Sequence, residues 1–122
     1  MRLLLDTHAF VWWDEGRLPA TLVRRIRAAD EVWVSAASAW EIAIKAALGK
    51  IVARARLADA LEDYGFSALP ISVEHADEVR ALPMHHRDPF DRLLVVQAKL
   101  EGLTLVSRDP ALLDYGVPTI WA

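Results

Sequence analysis

Carboxylates recur wherever an apolar run of this chain gives way to a helix. Asp6 follows "RLLL", Glu41 comes shortly after "EVWVS", Asp88 and Asp91 bracket the "PF" of "HHRDPFDRLL", and Asp109 follows "LTLVSR". Each has a simple structural explanation. Asp6 or Thr7 can cap a first helix, and Ser38-x-x-Glu41 has the form of a capping box. Asp88-Pro89 and Asp109-Pro110 each place an N-cap acid before a proline at the first helical position. Glu41 also stands four residues before Lys45, the spacing of a helical ion pair. Yet serine or threonine would cap as well, and an acid recurs at every one of these turns. With Ser38 available as a cap, Glu41 is not needed for one. Carboxylates gathered in one place repel unless a cation neutralises them. The chain has no cysteine, and none of its histidines has a partner at ligand spacing. Such a cluster suits an oxygen-seeking ion, Mg²⁺ or Mn²⁺, which keeps several waters and bridges to phosphate.

For those acids to meet, the elements must return them to one edge. "RLLL" (2–5), "EVWVS" (31–35), a short run within "FSALPIS" (66–72), "LTLVS" (103–107) and "PTIWA" (118–122) read as strands. Between them, helices are expected over 7–13, 18–29, 38–49, 55–65, 73–82 and 89–102, with a helical turn at 110–116. Gly16, Gly49 and Gly102 serve as stops, and Pro83 ends the fifth helix. Strands without clear in-out alternation, alternating with helices, predict an α/β three-layer domain around a parallel sheet. Ligands of open parallel sheets bind beyond the carboxyl ends of the strands. That geometry permits Asp6, Glu41, Asp91 and Asp109 to converge, with Asp88 close by.

Composition narrows the function classes. The 122 residues, 54% hydrophobic and 25% charged, predict one soluble globular domain spanning 1–122. No stretch approaches a membrane span, and the opening leucines are too few for a signal peptide. Absence of cysteine fits a reducing, cytoplasmic setting. A net charge of −3 does not advertise nucleic-acid binding, although local charge can differ from the total. His8, His75, His85 and His86 read as surface or loop residues, with His8 and His86 the two candidates for a substrate contact. Lys45, Arg87, Arg92 and Arg108 stand near the acids in sequence and could meet phosphates or pair with those acids. The tryptophans at 12, 13, 33, 40 and 121 read as core or an oligomer face, with base stacking by Trp12 or Trp13 the lesser option.

"LLLDTHAFVWW", "SAASAWEIAIK", "HRDPFDRLLVVQA", "LTLVSRD" and a terminal "TIWA", in that order, resemble the PIN-domain ribonucleases, and among them the VapC-type toxins of bacterial toxin–antitoxin pairs. The resemblance covers essentially the whole chain, and "DTH", "WEIAIK" and "DPFDRLL" together carry it. It implies a parallel sheet of order 3-2-1-4-5 and Mg²⁺- or Mn²⁺-dependent cleavage of RNA. The family's acids fall on Asp6, Glu41, Asp91 and Asp109, as catalytic and metal-binding residues. Its hydroxyl residue before the last acid falls on Ser107, where threonine is commoner, and Asp88 matches a frequent acid of the subgroup. Thr7, Lys45 and Arg92 join Ser107 and Asp88 as candidates around substrate and metal. The resemblance further implies a homodimer and a cognate VapB-type antitoxin whose tail occupies the active-site groove.

A metal held by Asp6, Glu41 and Asp91 would acidify a water, orient it and polarise a phosphoryl oxygen. Asp109 would complete the shell through water or help to hold a second ion, and Ser107 could fix a water or the nucleophile. Three rival readings fit the residues less well. A phospho-receiver domain would want paired acids after the first strand, an acceptor aspartate near mid-chain and a lysine after a late strand. Here Thr7 follows Asp6, "GKIVARA" has no aspartate, and Arg108 follows "LTLVS". A haloacid dehalogenase-type phosphatase would need D-x-D, where the chain has "DTH". A non-catalytic PIN-fold binding module is disfavoured by intact acids at all the family positions.

Overall fold

The computed structural model describes residues 1–52 and 56–121. The expected start of the fourth helix at Ala55 and the last residue of the terminal strand, Ala122, lie outside the described residues. A five-stranded, all-parallel sheet runs in the order β3-β2-β1-β4-β5. Its strands are β1 (Arg2–Leu5), β2 (Glu31–Ser35), β3 (Ser67–Leu69), β4 (Thr104–Val106) and β5 (Thr119–Ile120). The helices are α1 (Thr7–Asp14), α2 (Ala20–Ala28), α3 (Ala36–Ala47), α4 (Leu57–Tyr64), α5 (Val73–Glu78) and α6 (Pro89–Glu101), with 3₁₀ turns at Val79–Ala81 and Pro110–Tyr115.

The leucine run explains why β1 is central. Successive strand side chains face opposite ways. Leu3 and Leu5 join Phe10, Leu22, Ile26 and Leu61 in one layer, while Leu4 joins Leu94, Val95, Leu105 and Leu112 in the other. A strand apolar at consecutive positions is stable only where helices cover both faces of the sheet. Gly65 and Gly102, both left-handed, end α4 and α6 and turn the chain into the strands beyond.

Three local expectations are corrected. α3 starts at Ala36, and its cap is Ser35, whose hydroxyl accepts the Ala37 N–H at 3.0 Å. Ser38 therefore lies inside the helix, and the Ser38–Glu41 capping box does not form. The helix expected over 73–82 is an α-helix only to Glu78 and then tightens into the 3₁₀ turn, because Pro83 forces Leu82 into the extended region (ψ 136°). His75 is a buried core residue, not a surface one. Its Nδ1 accepts the Ser72 N–H at 3.0 Å, closing a capping box, and its Nε2 lies 2.9 Å from Glu101.

Two buried polar side chains brace the helices that carry the acids. Gln97 on α6 accepts from Ser35 Oγ at 2.5 Å and donates to the Pro70 carbonyl at 3.2 Å, tying α6 to the end of β2. Arg92, also buried, donates to the carbonyls of Val79 (3.2 Å), Pro83 (3.0 Å) and His86 (3.3 Å) and to the Tyr115 hydroxyl (3.3 Å). It clamps the loop between α5 and α6 from inside. Arg92→Met keeps the apolar stem but leaves those acceptors unpaired, which should lower unfolding free energy by about 1.5–3 kcal/mol. The exposed Arg24→Met should cost less than about 0.5 kcal/mol. Urea denaturation of the two variants checks the difference; equal small costs would mean that Arg92 is not a clamp.

Candidate active site

Asp6 is the first residue past β1. Its backbone N–H donates to Val106 O (3.0 Å), which holds it at the sheet edge beside β4. Its Oδ1 accepts the Ala9 N–H at 2.8 Å and caps α1. Asp88 caps α6 in the same manner, its Oδ1 accepting from Phe90 and Asp91, and Asp109 caps the Pro110–Tyr115 turn through Oδ1 and the Ala111 N–H. For these aspartates the capping explanation holds, and each caps with one oxygen, leaving Oδ2 outside that bond. Glu41 differs. Because α3 begins at Ala36, Glu41 sits in its second turn, where no free N–H remains to be capped. It is nevertheless buried, with Lys45 Nζ donating at 2.9 Å.

The electrostatics link the acids. Burial, then the neighbouring charges of Asp88 and Asp6, with a lesser push from Glu41, raises Asp91 to about 7 against the pull of His86. Burial also raises Asp6, opposed by the Ser107 hydroxyl, the Ala9 N–H and His8, and Glu41 raises it further. Asp6, Glu41, Asp88 and Asp91 thus share one field. Asp109 responds oppositely: burial pushes its carboxyl up, but the Ala111 N–H and His86 outweigh that and hold it below the usual range.

His86 is the residue that sequence reasoning undervalued. It stands between Asp109 and Asp91, with Nε2 2.7 Å from Asp109 Oδ2 and 3.3 Å from Asp91 Oδ2. Its Nδ1 accepts the Asp88 N–H at 2.9 Å, so the ring proton sits on Nε2 and is donated toward the acids. His86, Asp91 and Asp109 offer ligand atoms that all lie within 4.8 Å of one another. The signal in the sequence was its place two residues before the Asp88 cap; nothing local showed the reach to Asp109. The adjacent His85 turns away and packs edge-on against Tyr115, ring centres 5.0 Å apart.

The remaining candidates separate. Ser107 is buried and knits the site, its hydroxyl bonded to Asp6 while its Oγ accepts the Asp109 N–H at 3.1 Å. Thr7 Oγ1 donates to Ser38 Oγ at 3.0 Å and locks α1 against α3. Lys45 is occupied with Glu41. Arg92 spends its donors on the 79–86 loop and on Tyr115 and so reaches the acids only through His86. A cleft of about 420 Å³ opens at this edge, lined by Asp6, Asp91 and Asp109 together with His8, Trp12, Arg108, Pro110 and Trp121. Among the described residues no lysine or arginine pairs with Asp6, Asp91 or Asp109. A cleft whose Asp6 and Asp91 are raised by burial and by neighbouring carboxylates, with Asp109 beside them, fits a hard divalent cation.

A sign follows for the metal-free protein. Between the unfolded value of 3.8 and about 7, folded Asp91 holds a proton that the unfolded chain has lost. Stability therefore falls as pH rises through that window. Urea unfolding in EDTA should show the decline, and Asp91→Asn should flatten it. Parallel pH profiles for the two proteins would mean that Asp91 lies outside the shared field.

Comparison with known proteins agrees with this geometry. The model of the PIN domain matches residues 3–117. No curated protein matches in sequence. Among solved structures, FitAcB from Neisseria gonorrhoeae superposes with a TM-score of 0.66 at 20% identity, over 96% of this chain and 95% of that one. DNA-bound VapBC from Salmonella typhimurium gives a TM-score of 0.75 at 16% identity, over 100% and 99%. A toxin–antitoxin complex from Klebsiella pneumoniae gives 0.62 at 17%, over 88% and 86%. At such identities these likenesses speak for the fold, and it is the family match over nearly the whole length that assigns the chain: it belongs to the PIN-domain family.

Proposed function

We propose that this protein is a divalent-metal-dependent endoribonuclease that hydrolyses RNA phosphodiester bonds as the toxin of a toxin–antitoxin pair. The observation that carries the reading is the shared field of Asp6, Glu41 and Asp91, with Asp109 beside them. Lys45 pairs with Glu41, but among the described residues no lysine or arginine pairs with Asp6 or Asp91; such like charges cost stability, and a cation from solution would remove that cost. PIN-family membership supports nuclease chemistry, and the VapBC and toxin–antitoxin neighbours support the toxin assignment. In the same reading residues 1–122 form one nuclease domain, the toxin works in the cytoplasm as a homodimer, and a VapB-type antitoxin tail blocks the groove. Among the described residues no helix is long and apolar enough to cross a membrane.

Asp6, Glu41 and Asp91 would hold Mg²⁺ or Mn²⁺, with Asp109 contributing through water or to a second ion. The chemistry such an ion supplies when bound is a water of lowered pKa and a polarised phosphoryl oxygen. The protein's own groups do the positioning. Lys45 holds the Glu41 carboxylate in one orientation. Ser107 fixes Asp6 and Asp109 relative to each other and can accept or donate to the attacking water. Asp88 starts α6 so that Asp91 faces the cleft, and its charge raises the affinity of Asp91 for any cation. His86 donates to Asp109, and Arg92 secures the loop that presents His86. The rival reading, a non-catalytic PIN-fold binding module, requires RNA or protein binding with no cleavage.

Cleavage of single-stranded RNA should require Mg²⁺ or Mn²⁺, stop in EDTA, and fall by at least about a hundredfold in Asp6→Asn and in Asp91→Asn. Retained cleavage in EDTA or in both variants overturns the mechanism. Without RNA, Mg²⁺ should raise the melting temperature of the native chain and not that of Asp91→Asn, because ligand binding to the folded state alone stabilises it.

A further inference from the structure

The acidic cleft has a wall of different chemistry. Trp12 follows His8 by one helical turn on α1, so both look into the cleft that holds Asp6, Asp91 and Asp109. Trp121 closes the same wall, its ring edge-on to Trp12 with centres 5.7 Å apart. The chain reaches that point directly from the site, since β5 pairs with β4 and Ser107 N donates to Ile120 O at 3.1 Å. Trp121 is the one non-glycine residue with positive φ (82°) among the described residues, a conformation that costs energy and is kept where the surroundings impose it. Two guanidinium groups lie over Trp12. Arg17, at 4.6 Å from the ring centre, is also paired with Glu15. Arg108, at 5.3 Å, is exposed and makes no hydrogen bond or ion pair among the described residues.

That last point is unexpected on electrostatic grounds. Arg108 precedes Asp109 and lines a cleft containing three carboxylates, yet it rests on an indole face. A guanidinium lying over an aromatic ring and bonded to nothing else keeps its N–H fork free for an oxyanion and its outer side free for a base. A neighbouring tryptophan offers a further ring face, and aromatic faces beside a free arginine are how proteins hold unpaired nucleotides. We propose that Trp12, Arg108 and Trp121 form a subsite for single-stranded RNA. Arg108 contacts the phosphate next to the scissile one, and Trp121 with the Trp12–Arg108 stack holds the base attached to it. The subsite rests on the nuclease reading above and adds what that reading lacks, a positively charged, sequence-tolerant grip beside a negative centre. It requires an unpaired strand, because a base inside a duplex has no face to offer.

The test is steady-state cleavage, with Mg²⁺, of one short single-stranded RNA carrying an abasic nucleotide at each position in turn. For the native chain, one abasic position at a fixed distance from the cut should raise KM about tenfold, and a duplex of the same sequence should be cleaved poorly. Arg108→Gln, an exposed substitution, and Trp12→Leu should each raise KM for the intact RNA about tenfold, with kcat affected far less. Both should also lose most of their sensitivity to that abasic position. Arg24→Gln, which removes the same charge from the outer face of α2, should behave as the native chain. Arg108→Gln with native KM and native abasic sensitivity overturns the subsite, as does native cleavage that ignores every abasic position or prefers duplex. A native chain that cleaves no RNA removes the nuclease reading and the subsite together, and so is told apart from a failure of the subsite alone.

Discussion

The organisation of this protein turns on a conflict between helix starts and like charges. Each capping aspartate must remain where a backbone N–H needs it, yet the topology brings several of them to one place. Repulsion alone would spread them apart. The conflict is resolved by dividing the carboxylate: Oδ1 of Asp6, Asp88 and Asp109 satisfies the backbone, which fixes the side chain, and the second oxygen is aimed with little freedom. The fold thus holds charge in an arrangement that is unfavourable by itself, as Asp91, raised to about 7, records. Stability has to come from elsewhere, and it comes from the leucine-filled β1, the Ser35–Gln97 link and the Arg92 clamp.

Parallel topology explains why the acids meet at all. In a parallel sheet every strand delivers its carboxyl end to one edge, and the helices that lead back away from it begin there. β1 lies between β2 and β4, so the residues after β1 and β4 flank the point where strand order reverses, the usual location of a ligand crevice. Asp6 and Asp109 are those residues. Glu41 comes from α3, which packs against both α1 and α6, and from there its charge reaches Asp6 and Asp91. The Thr7–Ser38 bond joins the α1 start to α3, and Gln97 joins α3's cap to α6. The elements carrying Asp6, Glu41 and Asp91 are therefore bonded to one another away from the acids themselves.

Much of this was legible in local pattern. The apolar strands, the glycine stops and the Asp-Pro helix starts each depend on a few neighbouring residues, and they formed where expected. What was not legible depended on contacts across the chain. Ser35 and Ser38 are both plausible caps by type, and only the length of β2 decides between them. His75 looks like any helix-start histidine until Gln97 and Glu101 are brought against it. Arg92 sits in an acidic helix start and reads as a phosphate contact or as a partner of those acids. Its guanidinium instead goes to a loop whose carbonyls no periodicity announces. The convergence of the acids was inferable from topology and charge type, but the part played by His86 was not, because its bond to Asp109 spans 23 residues.

His86 and Arg108 treat the acids differently. Its Nδ1 is engaged by the Asp88 N–H, so its Nε2 carries a proton and has no lone pair to give a metal while that bond lasts. In this tautomer His86 acts toward Asp109 as a cation would, by donation, and it is supported from behind by the Arg92 clamp on its own carbonyl. Among the described residues Arg108 makes no such donation to the acids and lies over Trp12 instead. His86 therefore keeps Asp109 in place, while Arg108, unpaired among the described residues, faces solvent. That asymmetry gives the cleft a direction. For the proposed RNA substrate, the acids would repel a polyanionic strand unless a metal is bound, whereas Arg108 over Trp12 would attract it whether or not one is.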